Sequence, residues 1–161
     1  MDDVAVVNAS PIIFFSRSGH WELLAAVAPR LIIPQPVATE ILVRGDQDPT
    51  VRRLQGDARL EIAPVAQIPT AIEVWGLGPG ESAVIALARA TPGAVAVIDD
   101  LAGRKCAAAF GLQTRGTLGI VLMAKQRGAI PAARPVIDDL LRSGMYLSRP
   151  VIDGALARVG E

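Results

Sequence analysis

Five side chains in this sequence have the chemistry to share one hard cation: the amide of Asn8 and the carboxylates of Glu40, Glu81, Asp99 and Asp100. All are oxygen donors, the ligand type suited to Mg²⁺ and Mn²⁺. Carboxylates a few ångströms apart repel, so two or three of them cannot all stay ionised cheaply unless a cation joins them. Mg²⁺ resolves that repulsion and keeps several of its waters, so such a site can activate a water and offset charge on a phosphodiester. Composition excludes a soft-metal alternative. Cys106 and His20 are the only cysteine and histidine, which rules out a Cys-rich zinc site and an internal disulfide.

Donors so far apart in the chain act together only if the elements around them converge. Val4 to Val7 is an apolar run that stops at Asn8-Ala9-Ser10-Pro11, read as strand, turn and helix, with Ser10 as cap and Pro11 opening a helix to about Arg17. His20 to Val27 reads as a further helix, Leu31 to Ile33 as a second strand, and Val37 to Arg44 as a helix led in by prolines. A loop at Gly45 to Pro49 and a short polar helix precede a strand at Leu60 to Pro64. Gly76 to Gly80 is a turn. Glu81 to Ala90 is then a helix, Ala94 to Ile98 a buried strand, Leu101 to Phe110 a helix closed by Gly111, and Leu112 to Arg115 a last parallel strand. Thr117 to Arg127 is a helix ending at Gly128. The sequence Arg134-Pro-Val-Ile-Asp138 recurs as Arg149-Pro-Val-Ile-Asp153, which predicts two helices with Pro at the first position and Asp in the first turn. Met145 to Ser148 between them reads as an edge strand.

Strand and helix signals thus alternate. Aromatics are scarce while Ala, Val, Ile and Leu abound, the palette of buried parallel strands covered by helices. With 161 residues, 51% of them hydrophobic, the chain fits a single α/β domain spanning residues 1–161. Open α/β sheets keep their chemistry in the crevice at the carboxyl ends of the strands. Asn8 ends the first strand and Asp99-Asp100 follow the strand at Ala94 to Ile98, so all three are expected in one crevice. Glu81 stands in the first helical turn after Gly80. Glu40 lies about 60° from the apolar stripe marked by Val37 and Ile41, by the helical period.

Each of these residues also has a purely structural explanation. Glu40 can pair with Arg44 four residues on, for about 0.2–0.5 kcal/mol. Glu81 suits the positive end of a helix, and Asp99 or Asp100 can cap the helix that follows. His20 fits a surface or helix-start position, Cys106 a small buried hydrophobe, and Asp138 and Asp153 helix starts. The Gly76 to Gly80 run lacks the Gly-Lys-Ser/Thr ending of a phosphate loop and is not a nucleotide site. Positive and negative charges balance, so any surface for nucleic acid must be local. The acidic start lacks the basic region of an export signal, and no apolar run nears the roughly 18 residues of a membrane span, which leads us to expect a soluble cytoplasmic protein with no membrane partner.

The order of motifs resembles that of PIN-domain proteins, in particular a poorly characterised branch related to the VapC-like toxin ribonucleases. The resemblance rests on Val6 to Ile13, Ile33-Pro34 with Val37 to Leu42, Gly76 to Ala88, Val97 to Asp100, and Gly116 to Gly119, and it covers residues 4 to 150. It implies a three-layer α/β/α sandwich around a mainly parallel sheet, and a ribonuclease using Mg²⁺ or Mn²⁺. By the same resemblance Glu40, Glu81 and one of Asp99 and Asp100 are the acidic site residues, with Ser10 and Thr117 as supporting hydroxyls. Asn8 stands where many such domains carry their first Asp, and its amide oxygen can ligate a metal without adding charge. Implied partners are RNA, a small antitoxin protein and a second copy of the chain. The alternatives are a non-catalytic PIN-like domain binding RNA or a protein, and a receiver-like phosphoacceptor. The last is disfavoured because Asp2 and Asp3 precede the first strand instead of following it.

Overall fold

The computed structural model describes residues 2–161. Its centre is a five-stranded, all-parallel sheet in the order β3-β2-β1-β4-β5. The strands are β1 (Val4–Val7), β2 (Arg30–Pro34), β3 (Leu60–Ala63), β4 (Ala94–Val97) and β5 (Thr114–Arg115). Every residue of β1 is buried, as expected of a strand with covered faces and a neighbour on each side. At one edge, β3 is half-exposed along its length and carries Glu61 and an exposed Ile62.

The helices are α1 (Ala9–Ser18), α2 (Trp21–Ala25), α3 (Gln35–Leu42), α4 (Pro49–Gly56), α5 (Thr70–Glu73), α6 (Pro79–Ala90), α7 (Leu101–Ala109), α8 (Thr117–Gln126), α9 (Arg134–Arg142) and α10 (Arg149–Ala157). They complete an α/β/α sandwich. One group joins α1, α2, α4, α8, α9 and α10, while α5, α6 and α7 form another around Ile72, Ile85, Cys106 and Ala107. Helix α3 touches both groups, packing on α1 and α4 and also on α6. Trp21, Phe15, Ile12 and Leu24 are fully buried, each contributing about 1.5–3 kcal/mol of transfer free energy. Among the described residues no helix is long and apolar enough to cross a membrane.

The topology locates the functional edge. From β1 the chain crosses to β2 on one side, and from β4 it crosses to β5 on the other, so the order reverses between β1 and β4. A crevice opens at such a reversal, beyond the strand carboxyl ends. The register aligns Val7 with Val97, and the ladder runs on through Asn8 N–H donating to Val97 O at 2.9 Å.

Several local expectations need correction. Asn8, not Ser10, occupies the cap position of α1, because the helix begins two residues before Pro11. Residues 145–148 form no strand: the Met145 N–H bonds Leu140 O at 3.1 Å, which ties the segment to the end of α9 and buries Met145. Arg44 pairs with Asp48 at 3.1 Å instead of with Glu40, since Asp48 is already positioned as the cap of α4. Helix α5 is a single turn that the apolar pattern did not announce.

Candidate active site

Asn8 is 3% exposed at the end of β1. Its Nδ2 donates to Glu81 Oε1 at 3.2 Å, whereas its Oδ1 is buried with no hydrogen-bond partner. An orphaned amide oxygen is costly, about 1–3 kcal/mol, unless something else accepts its lone pairs. Glu81 is held on the other side of this bond by α6. Gly78 caps that helix and Pro79 opens it, so Glu81 falls in the first turn, near the positive end of the helix.

Gly80 brings the third donor in. A Cβ at this position would lie 3.1 Å from Asn8 Oδ1 and 3.2 Å from Glu40 Oε2, so the absence of a side chain lets α3 and α6 approach with Asn8 and Glu40 around one point. Glu40 itself is exposed, free of Arg44, and turned to the crevice by the packing of α3 on α6.

The acidic pair after β4 divides. Asp99 Oδ1 accepts the Thr117 N–H and Oδ2 the Thr117 hydroxyl, both at 2.7 Å, and Thr117 is fully buried at the start of α8. Each carboxylate oxygen retains a second lone pair for another partner. Asp100 instead caps α7, accepting Gly103 N–H at 2.7 Å, and is exposed. Ser10 is half-buried in the first turn of α1, with no hydrogen bond to the cluster among the described residues.

Asn8, Glu40 and Glu81 therefore converge, and Asp99 stands on the adjacent strand end in the grip of Thr117. Among the described residues no three of the His, Cys, Asp and Glu side chains converge at metal-ligand spacing. Position 8 carries an amide, and both Asp99 oxygens are engaged by Thr117. The donors present still fit a hard cation that keeps most of its waters, with Asn8 Oδ1 as the buried protein ligand and Glu81 beside it. The other sequence candidates lie outside this cluster. His20 bonds Asp139 at 2.7 Å, and Cys106 is a buried thiol whose pKa is pushed up by desolvation, which keeps it protonated and unreactive.

Sequence reasoning missed two glycines of this site, Gly80 and Gly116. At Gly116 an added Cβ would stand 3.2 Å from Asp99 Oδ1 and 2.9 Å from Arg104 Nη1. The signal was present: Gly80 lies in a first helical turn, where alanine would be the better helix former, so a close approach there was the alternative to a simple turn.

The fold is an α/β/α domain with oxygen donors at the strand ends between β1 and β4. A family model described as a PIN domain matches residues 4–161, and the chain belongs to that family. No curated protein and no solved structure matches the chain.

Proposed function

We propose that this chain is a PIN-type endoribonuclease that depends on Mg²⁺ or Mn²⁺, and that it acts as the toxin of a toxin-antitoxin pair. The observation that carries the nuclease reading is the buried, partnerless Asn8 Oδ1 at the strand ends, on a side chain whose Nδ2 is bonded to Glu81 and which shares the space over Gly80 with Glu40. A bound Mg²⁺ or Mn²⁺ would supply a water acidic enough to attack a phosphodiester and would offset the phosphate charge. The protein's part is positioning. Glu81 Oε1 accepts from the Asn8 amide Nδ2 and so fixes the orientation of the side chain whose Oδ1 would ligate the ion. Glu40, exposed and without a cation beside it, takes the proton of the attacking water at Oε2. Asp99 orders the start of α8 through Thr117 and offers its remaining lone pairs to the same site.

Purified protein should cut single-stranded RNA with Mg²⁺ or Mn²⁺ and not in EDTA. Glu81→Gln should lower cutting by more than ~100-fold while the domain stays folded, because even residues that only orient a metal ligand change affinity by 10–100-fold. Cutting that persists in EDTA and in Glu81→Gln would belong to a contaminating nuclease and would remove this reading. Single-stranded RNA, a small antitoxin and a second copy of the chain are the partners we propose. A short neighbouring reading frame for a DNA-binding protein would support the toxin role.

One observation favours a second reading, a non-catalytic PIN domain that binds RNA or a protein. Position 8 brings no charge, and no carboxylate trio forms among the described residues. Absence of Mn²⁺ binding in a calorimetric titration would select it.

A further inference from the structure

Arg104 lies on the first turns of α7, at the carboxyl edge of the sheet. Its guanidinium lies against Gly116 at the start of α8, with Nη1 2.9 Å from the point where a Cβ would stand and Asp99 Oδ1 3.2 Å from the same point. The two charges adjoin the glycine without meeting. Among the described residues Arg104 has no ion pair within 4.0 Å and no side-chain hydrogen bond, in contrast to Arg59, which is saturated by Asp57 and Glu22. An arginine is always charged, and its planar fork matches two oxygens of a phosphate.

The crevice needs such a group. Glu40, Glu81, Asp99 and Asp100 all bring negative charge to this edge, and an RNA backbone approaching it brings more. Repulsion of that kind is offset only by cations placed beside the path of the backbone. We propose that Arg104 is the phosphate-binding residue of this crevice: it takes the non-bridging oxygens of one backbone phosphate of single-stranded RNA, and Gly116 is small so that the guanidinium can reach them. The proposal rests on RNA being the substrate and adds the residue that holds it. It concerns positioning, since Arg104 touches the RNA backbone and not the attacking water.

Binding can be separated from cutting by measuring the fluorescence anisotropy of a labelled single-stranded RNA in EDTA over a range of NaCl concentrations. Arg104→Ala should weaken binding by about tenfold at low salt and flatten the logarithmic salt dependence by roughly 0.7, the share of one single-strand phosphate contact. Arg104→Lys should keep the salt dependence and lose part of the affinity, because a point charge replaces the fork. Arg30→Ala, which removes an exposed arginine paired with Glu61 at the opposite end of β2, should change neither. Arg104 is exposed, so the melting temperature should stay close to that of the natural protein. Equal affinity and equal salt dependence in Arg104→Ala would overturn the assignment, as would failure of the natural protein to bind RNA. If Arg104→Ala weakens binding but no variant cuts RNA with Mn²⁺, the nuclease reading falls and the phosphate site stands. If cutting is metal-dependent and Arg104→Ala leaves both binding and KM unchanged, the reverse holds.

Discussion

Acidic side chains gather at both ends of the sheet, with opposite consequences. At the amino ends, Asp57 accepts from Arg59 at 2.7 and 2.9 Å and from the Trp21 indole N–H at 2.7 Å, while Glu22 takes the rest of the Arg59 fork. Each charge there meets a countercharge, and the Asp57 carboxyl is held well below its usual range, first by the Arg59 side chain and then, against partial burial, by the Arg59 and Trp21 N–H groups. At the carboxyl ends, Glu40 and Glu81 have no cation within pairing distance among the described residues, and Asn8 Oδ1 has no partner. The first cluster is closed on itself and stabilises the fold. The second is open, and the groups it leaves without a countercharge stand where the strand order reverses, the place of the metal site we propose.

The closed cluster should give the largest loss of stability. Asp57→Ala leaves the indole N–H of a fully buried Trp21 unpaired, a loss of about 1–3 kcal/mol that a urea denaturation curve would detect. Asp57→Asn keeps an acceptor for Trp21 and removes only the charge, so it isolates the pH dependence. A carboxyl whose pKa is lowered by folding contributes fully above its unfolded value, near 3.8, and loses that contribution as pH falls through the lower folded value. The natural protein should therefore lose stability relative to Asp57→Asn from about pH 4 downward. Parallel acid curves for the two would show that the cluster does not stabilise through its charge.

Closing the open cluster from within should have an intermediate effect. Asn8→Asp adds a carboxylate in nearly the same volume and should tighten Mn²⁺ binding by about tenfold or more, which is 1.4 kcal/mol per decade. Without metal it should lower stability slightly, because a further negative charge joins Glu40 and Glu81. Equal Mn²⁺ affinities in calorimetry would mean that residue 8 does not face the ion. The smallest stability change is expected from Gly80→Ala. The gain in helix propensity, roughly 0.5–1 kcal/mol, is set against contacts at 3.1 and 3.2 Å with Asn8 and Glu40. The melting temperature should hardly move while metal-dependent cutting falls, since the added methyl forces the two donors apart. Unchanged cutting would show that their spacing is not critical.

Much of the fold was legible from residues 4 to 127, because the signals there are local. Apolar runs of four or five residues, prolines at helix starts and glycines at helix ends act within about one turn of where they stand. The donor types at 8, 81, 99 and 100 were legible for the same reason, since each follows a strand or opens a helix, whereas Glu40 lies within α3 and was placed by the helical period and the family resemblance. The segment at residues 145–148 defeats such reading: its apolar residues suit a strand equally well, and only the capture of Met145 by Leu140 O decides the matter.

The pattern of runs and breaks alone determined the alternation of strands and helices, the parallel sheet, and the oxygen-donor chemistry open to the chain. Only the tertiary structure decided that Asp99 is gripped by Thr117 while Asp100 caps α7, that Gly80 admits Asn8 and Glu40 to one point, and that Arg104 lies against Gly116. The reason is the reach of the interactions. Propensity and capping act over a few residues, but Asn8 meets Glu81 across 73 positions and Asp99 meets Thr117 across 18, and contacts at such separations exist only once the packed helices hold their elements side by side.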